Sequence, residues 1–134
     1  MPNKISVLLV DDHALVRRGF RRILEDESDI KVVGEAGDGK EAIKLAEELK
    51  PNVIVMDCAL PGTSGLVATR KILSGSPEQK ILMLSMHSED TLVRQALEAG
   101  ARGYVLKSEP FDVLTKAIEK VCTSENVFIS PRNN

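Results

Sequence analysis

Five short apolar runs alternate with five amphipathic segments along this 134-residue chain. That alternation constrains the fold more than any other feature. Residues 5–10 form a β-rich run. Residues 13–26 then carry Leu15, Val16, Phe20, Ile23 and Leu24 near helical spacing. Residues 31–36 read as a second strand, Gly37-Asp38-Gly39 as a turn, and residues 40–49 as a helix that Pro51 ends. Strands over 52–57, 80–85 and 102–107 are each followed by a helix, over 66–73, 89–99 and 110–122. Pro110 suits the first turn of the last helix, with Ser108 or Glu109 as its cap. Residues 7–10, 53–56 and 81–84 are unbroken apolar runs, as strands need when both sheet faces are buried. The expected fold is therefore α/β, a doubly wound parallel sheet with right-handed crossovers and helices on both faces. Residues 1–122 make up this domain. Residues 123–134 read as a C-terminal tail or linker in which Val127-Phe128-Ile129 can pack locally.

Composition removes several function classes. Eighteen basic against twenty acidic residues give a net charge of −2, so no overall field draws nucleic acid or an anionic membrane. One Tyr and no Trp make a base-stacking platform a poor expectation. No apolar run approaches a membrane span, and the N-terminus meets two acids too early for a signal peptide. Cys58 and Cys122 are too few for a disulfide framework and fit free thiols in a reducing cytoplasm.

The polar residues that interrupt the pattern fall at the carboxyl ends of strands, where open parallel sheets build their sites. Asp11 and Asp12 follow strand 1, Asp57 ends strand 3, Ser85 strand 4 and Lys107 strand 5. Each alone has a plain structural explanation, as a helix cap, loop cap or solvated lysine. All five at one sheet edge call for a common cause. Clustered carboxylates repel unless a cation intervenes. An oxygen-only set suits a hard divalent ion such as Mg2+, which keeps waters for a phosphate-bearing ligand. A carboxylate there can attack phosphorus to give an aspartyl phosphate, with Lys107 and Ser85 as donors to the phosphoryl oxygens.

These motifs resemble the receiver domains of two-component response regulators over nearly the whole chain. Leu8-Leu-Val-Asp11-Asp12-His13 resembles the acidic pair. Residues 53–65 resemble the phosphoacceptor segment with its Pro61-Gly62 loop. Leu82-Met-Leu-Ser85 resembles the Ser/Thr strand, and Gly100-Ala-Arg-Gly-Tyr104-Val-Leu-Lys107 the aromatic-x-x-Lys strand. The resemblance implies a flavodoxin-like (βα)5 sheet of order 2-1-3-4-5. It implies a signalling module rather than an enzyme, with Asp57 accepting a phosphoryl group from a sensor histidine kinase. It implies Mg2+ on Asp12, Asp57 and the backbone carbonyl of Ala59, with Asp11 acting through water. Ser85 and Lys107 would bind phosphoryl oxygens. Ser85 and Tyr104 would switch the face made by helix 4, strand 5 and helix 5, bearing Arg94, Glu98 and Arg102. A phosphorylation-dependent homodimer is a further implied partner. The Asp12-His13, Ser85-Met-His87-Ser and Val127-Phe-Ile-Ser-Pro131 stretches are most similar to the NarL/FixJ-type (LuxR-like) subfamily. In that subfamily transcription is controlled, and DNA bound, through a helix-turn-helix output domain, which these residues do not contain.

The sequence also departs from the common pattern. Ser108, not Pro, follows Lys107, and Met86 follows Ser85 where a small residue is usual. Ala59 and His87 occupy positions that border the expected phosphorylation site. A dehalogenase-type phosphohydrolase would need an acid two residues after Asp57, where Ala59 stands. A nucleotide or flavin site would need a glycine- or hydroxyl-rich loop where Asp11-Asp12 would repel phosphate. A receiver-like scaffold that works without phosphorylation is the remaining alternative. Arg17, Arg18, Arg21 and Arg22 read as a solvated basic face, with kinase docking the functional alternative. His13 and His87 lack the fixed spacing of a transition-metal site. Cys58 has no evident base, and strand alternation points it away from the side of Asp57.

Overall fold

The computed structural model describes residues 4–123 and 127–130. Its elements run β1 (Ile5–Val10), α1 (Ala14–Glu25), β2 (Ile30–Ala36), α2 (Gly39–Leu49), β3 (Val53–Asp57), α3 (Gly65–Gly75), β4 (Lys80–Ser85), α4 (Asp90–Glu98), β5 (Gly103–Leu106), α5 (Phe111–Thr123) and β6 (Phe128–Ser130). All adjacent strands pair in parallel, in the order β2-β1-β3-β4-β5-β6. The expected order 2-1-3-4-5 is present, and β6 extends it at the β5 edge. Phe128–Ser130 lies in the stretch read as a tail; residues 124–126 and 131–134 of that stretch lie outside the described residues. Among the described residues, no helix is long and apolar enough to cross a membrane.

Period-two alternation sorts the strand residues between two cores. Val7, Leu9, Val53, Val55, Leu82, Leu84 and Val105 pack under α1 and α5, against Phe20, Leu24, Leu114 and Ile118. Leu8, Val10, Ile54, Met56, Ile81, Met83 and Tyr104 pack under α2, α3 and α4, against Ala42, Ala46, Ala68, Ile72 and Ala96. Small alanines on that side let three helices approach the sheet closely. Helix boundaries follow local chemistry. Asp38 and Ser64 cap α2 and α3 by accepting from Glu41 N–H and Val67 N–H. Helix α5 begins at Phe111, one residue later than the sequence suggests, and Pro110 lies just before it with its carbonyl accepting from Val113.

The alternation breaks once. Val7 pairs with Val32 but Leu8 with Gly34, so Val33 is an extra residue in β2. An extra residue moves everything beyond it to the other face. Glu35 therefore pairs with Leu9 and comes to the α1 side of the sheet.

Candidate functional site

The chain reverses its winding between β1 and β3, and the site lies at their carboxyl ends. The same alternation that builds the cores continues into the site. Asp11, Asp57 and Lys107 fall on the α1–α5 side, while Ser85 and Tyr104 fall on the other. They meet at the open end of the sheet around a cavity of about 320 Å3 lined by Asp12, Asp57, Ala59, Ser85, Tyr104 and Lys107, among others.

On the first side, Lys107 Nζ lies 3.0 Å from Asp57 Oδ2 and 3.1 Å from Asp11 Oδ2. Asp11 and Asp57 are buried, and Lys107 is nearly so. The other oxygen of each aspartate accepts a main-chain N–H two residues on: Asp57 Oδ1 from Ala59 at 3.0 Å, Asp11 Oδ1 from His13 at 2.9 Å. Asp11 Oδ2 is enclosed and makes no hydrogen bond of good geometry, leaving only its ion pair with Lys107. Burial pushes the Asp57 carboxyl up, against the lowering pull of the Ala59 N–H and of Lys107. Lys107 is itself pushed up: burial works against it, but its bonds to Asp57 and Asp11 prevail. The two directions are compatible because one ammonium serves two carboxylates. Gly65 keeps the site compact: a Cβ there would stand 2.3 Å from the Asp57 carbonyl oxygen.

On the second side, Ser85 Oγ accepts from His87 N–H at 3.0 Å, and the Tyr104 hydroxyl donates to the His87 carbonyl at 2.6 Å. Tyr104 is buried in this conformation. Cys58 packs on this side, as alternation requires, yet it also lines the cavity because the cavity opens across the sheet end. Burial and the neighbouring Asp57 push its thiol up to about 12, so it is a poor nucleophile.

The residues fit a hard cation. Carboxylate oxygens of Asp11 and Asp12 and a ring nitrogen of His13 all lie within 4.8 Å of one another. Asp12, Asp57 and Ala59 line one cavity, whereas the enclosed Asp11 Oδ2 already has the Lys107 ammonium 3.1 Å away. The donor set beside Asp57 is mainly oxygen, which suits Mg2+. His13 and His87 both line the cavity, but their Nδ1 atoms face different carboxylates, Asp12 Oδ1 at 3.2 Å and Glu89 Oε2 at 3.7 Å. Sequence reasoning missed one part of the surroundings: Arg17 and Arg21 are not merely solvated. Both reach Glu35 on β2, and hydrogen bonds from the two arginines hold its carboxyl below the usual range.

A parallel α/β sheet of this order with a carboxylate–lysine cluster at its winding switch point is a receiver-type fold. The chain matches the response regulator receiver domain family over residues 7–119 and belongs to it. It is 42% identical to the response regulator GacA of Pseudomonas aeruginosa over 128 residues, 96% of this chain and 59% of that protein. It is 45% identical to the response regulator UvrY of Escherichia coli K12 over 126 residues, 94% of this chain and 58% of that protein. The chain thus spans under two-thirds of the length of these relatives. Among solved structures, it resembles a LuxR-family two-component response regulator from Aurantimonas sp. SI85-9A1. The TM-score there is 0.92 at 40% identity, covering 96% of this chain and 91% of that one. The receiver domain of NarL from Mycobacterium tuberculosis gives a TM-score of 0.87 at 35% identity, covering 90% and 98%.

Proposed function

We propose that this chain is a phosphoacceptor module in which Asp57 takes a phosphoryl group from the phosphohistidine of a sensor histidine kinase. The observation that carries this reading is Lys107 Nζ bridging the buried carboxylates of Asp57 and Asp11 at the sheet switch point. In the transfer, an Asp57 carboxylate oxygen forms the new bond to phosphorus as the bond to the histidine nitrogen breaks. Lys107 is already within reach of Asp57 Oδ2, and Ser85 lines the same cavity. Both are suited to donate to the phosphoryl oxygens where charge builds. Asp12, Asp57 and the Ala59 carbonyl would hold Mg2+, with Asp11 supporting it through water. That ion supplies charge neutralisation between acceptor and phosphoryl group.

The proposed switch runs through Ser85 and Tyr104. Ser85 Oγ accepts from His87 N–H and keeps its O–H to donate to a phosphoryl oxygen on Asp57, and Tyr104 is hydrogen-bonded to the same His87. A charge change at Asp57 therefore reaches the β4–α4 turn and the face of α4, β5 and α5. We read residues 1–122 as the receiver and residues 123–134 as the stretch leading toward an output domain. The greater length of the GacA and UvrY relatives supports that division. Transcriptional control through a DNA-binding output, and a phosphorylation-dependent homodimer, belong to the same reading. Residence in a reducing cytoplasm suits the free Cys58 and Cys122.

Incubation with acetyl phosphate and Mg2+, followed by intact mass measurement, tests the reading. A single phosphoryl adduct that is absent in Asp57→Asn is expected. Continuous phosphate release from many esters without an adduct would instead favour a hydrolase. No adduct and no release would favour a scaffold that works without phosphorylation.

A further inference from the structure

We propose that Arg17 is a positioning residue for the acidic loop: clamped by Glu35, its guanidinium fixes the Asp11 main chain and thereby keeps the Asp11 and Asp12 carboxylates aimed into the metal position. The inference rests on the reading that this loop holds Mg2+. Arg17 lies in the first turn of α1, and its side chain is only 20% exposed. Its Nε donates to Glu35 Oε1 at 2.8 Å and its Nη1 to the Asp11 carbonyl at 2.5 Å. Arg21 Nη1 holds the other Glu35 oxygen at 2.5 Å, so Glu35 is fixed from both sides. Glu35 is available only because the extra residue Val33 turns it to the α1 side.

The loop needs such a tie. Helix α1 begins without a side-chain cap and without an acidic residue in its first turn. Asp11, Asp12 and Asp57 crowd one region, and like charges push the loop outward. Against this, Asp11 is held at every main-chain group. Its N–H donates to the Ala36 carbonyl at 3.0 Å, its carbonyl accepts from Arg17, and its Oδ1 accepts from His13 N–H. Only Oδ2 is left, and it faces Lys107 Nζ at 3.1 Å. A guanidinium can span a carboxylate and a carbonyl at once; a lysine ammonium, a single point donor on a flexible stem, cannot hold both in one fixed geometry.

Electrostatics and positioning predict opposite signs, which makes the idea testable. Arg17 is a cation near a cation site, so through charge alone its removal would tighten Mg2+ binding. Through positioning, its removal weakens it. The test is a Mg2+ titration of the phosphoryl-free chain, followed by amide NMR shifts around Asp12 and Asp57. It compares wild type with Arg17→Gln, Arg17→Lys and Glu35→Gln, each checked for folding by thermal melting in EDTA. Outer-shell partners of metal ligands typically contribute about 10–100-fold in affinity. Arg17→Gln and Glu35→Gln are each expected to raise the Mg2+ Kd by about tenfold or more, and Arg17→Lys to stay weakened. The half-maximal Mg2+ concentration for acetyl phosphate labelling of Arg17→Gln is expected to rise in parallel. An unchanged or tighter Kd in folded Arg17→Gln overturns the proposal, as does wild-type affinity in Arg17→Lys. Should Arg17→Gln fail to fold, an unchanged Kd in Glu35→Gln does the same. Absence of saturable shifts in the wild type would overturn the Mg2+ reading itself, a distinct result.

Discussion

Replacing the acceptor Asp57 with Asn should make the metal-free protein more stable, although it destroys the proposed function. Asp57 is 2% exposed, and burial dominates its electrostatics. The Asp57 and Asp11 oxygens facing Lys107 are each about 3 Å from one nitrogen, hence no more than about 6 Å apart. At an effective dielectric near 20, their repulsion is at least about 3 kcal/mol. Attraction to Lys107 at 3.0 Å is about 5 kcal/mol on the same scale, but desolvation of a buried carboxylate costs several kcal/mol. The raised Asp57 carboxyl says that the unfavourable terms win. Asn removes charge and keeps shape, and Lys107 retains Asp11 as its partner. The net expectation is a gain in stability, read as a higher melting temperature.

The pH dependence carries the sign. A carboxyl whose folded pKa lies above its unfolded value near 3.9 costs stability once pH exceeds the folded pKa. That cost disappears as pH falls to the unfolded value. In thermal or urea denaturation with EDTA, Asp57→Asn should therefore exceed wild type at pH 7, and the gap should close toward about pH 4. Adding Mg2+ should narrow the gap from the other direction, because an ion that binds only the folded wild type stabilises it by mass action. An Asn variant no more stable than wild type at pH 7 without metal, or a gap that ignores pH, would refute this account of Asp57.

Two further outcomes follow from contacts on the second side of the site and at the sheet edge. Tyr104→Phe deletes the 2.6 Å bond to the His87 carbonyl; it should cost about 1 kcal/mol in urea denaturation and speed hydrogen exchange in the β4–α4 turn. An unchanged midpoint would mean that solvent replaces that bond freely. Gly103→Ala would put a Cβ 2.3 Å from Leu82 Cδ1 and 2.9 Å from the Phe128 carbonyl. It should cost about 1–3 kcal/mol and release β6, read as lost protection of the Phe128 amide that now donates to Arg102 at 3.0 Å.

The alternation of apolar runs with helical spacing was enough to call for a parallel doubly wound sheet, because strands buried on both faces cannot carry polar residues except at their ends. The same rule made Asp11, Asp57, Ser85 and Lys107 visible as a group before any contact was known. Strand order and β6 were less legible. Three residues at Phe128–Ser130 make too short a signal, and only the exposed β5 edge with a side-chain-free Gly103 gives them a place to pair. The arginines of α1 show the limit most clearly. Four basic residues in six positions look alike in sequence, yet Arg17 and Arg21 are tied to Glu35 while Arg18 and Arg22 face solvent.

What the sequence alone determined is which residues lie at strand ends and which chemistry they share, since both depend on local period and residue type. Which groups touch depends on register between distant segments. One extra residue at Val33 decides whether Glu35 meets Arg17 or α2. One shared lysine decides that Asp11 and Asp57 form a buried pair rather than two separate caps. A one-residue slip inverts every face beyond it, and only the paired sheet fixes that slip.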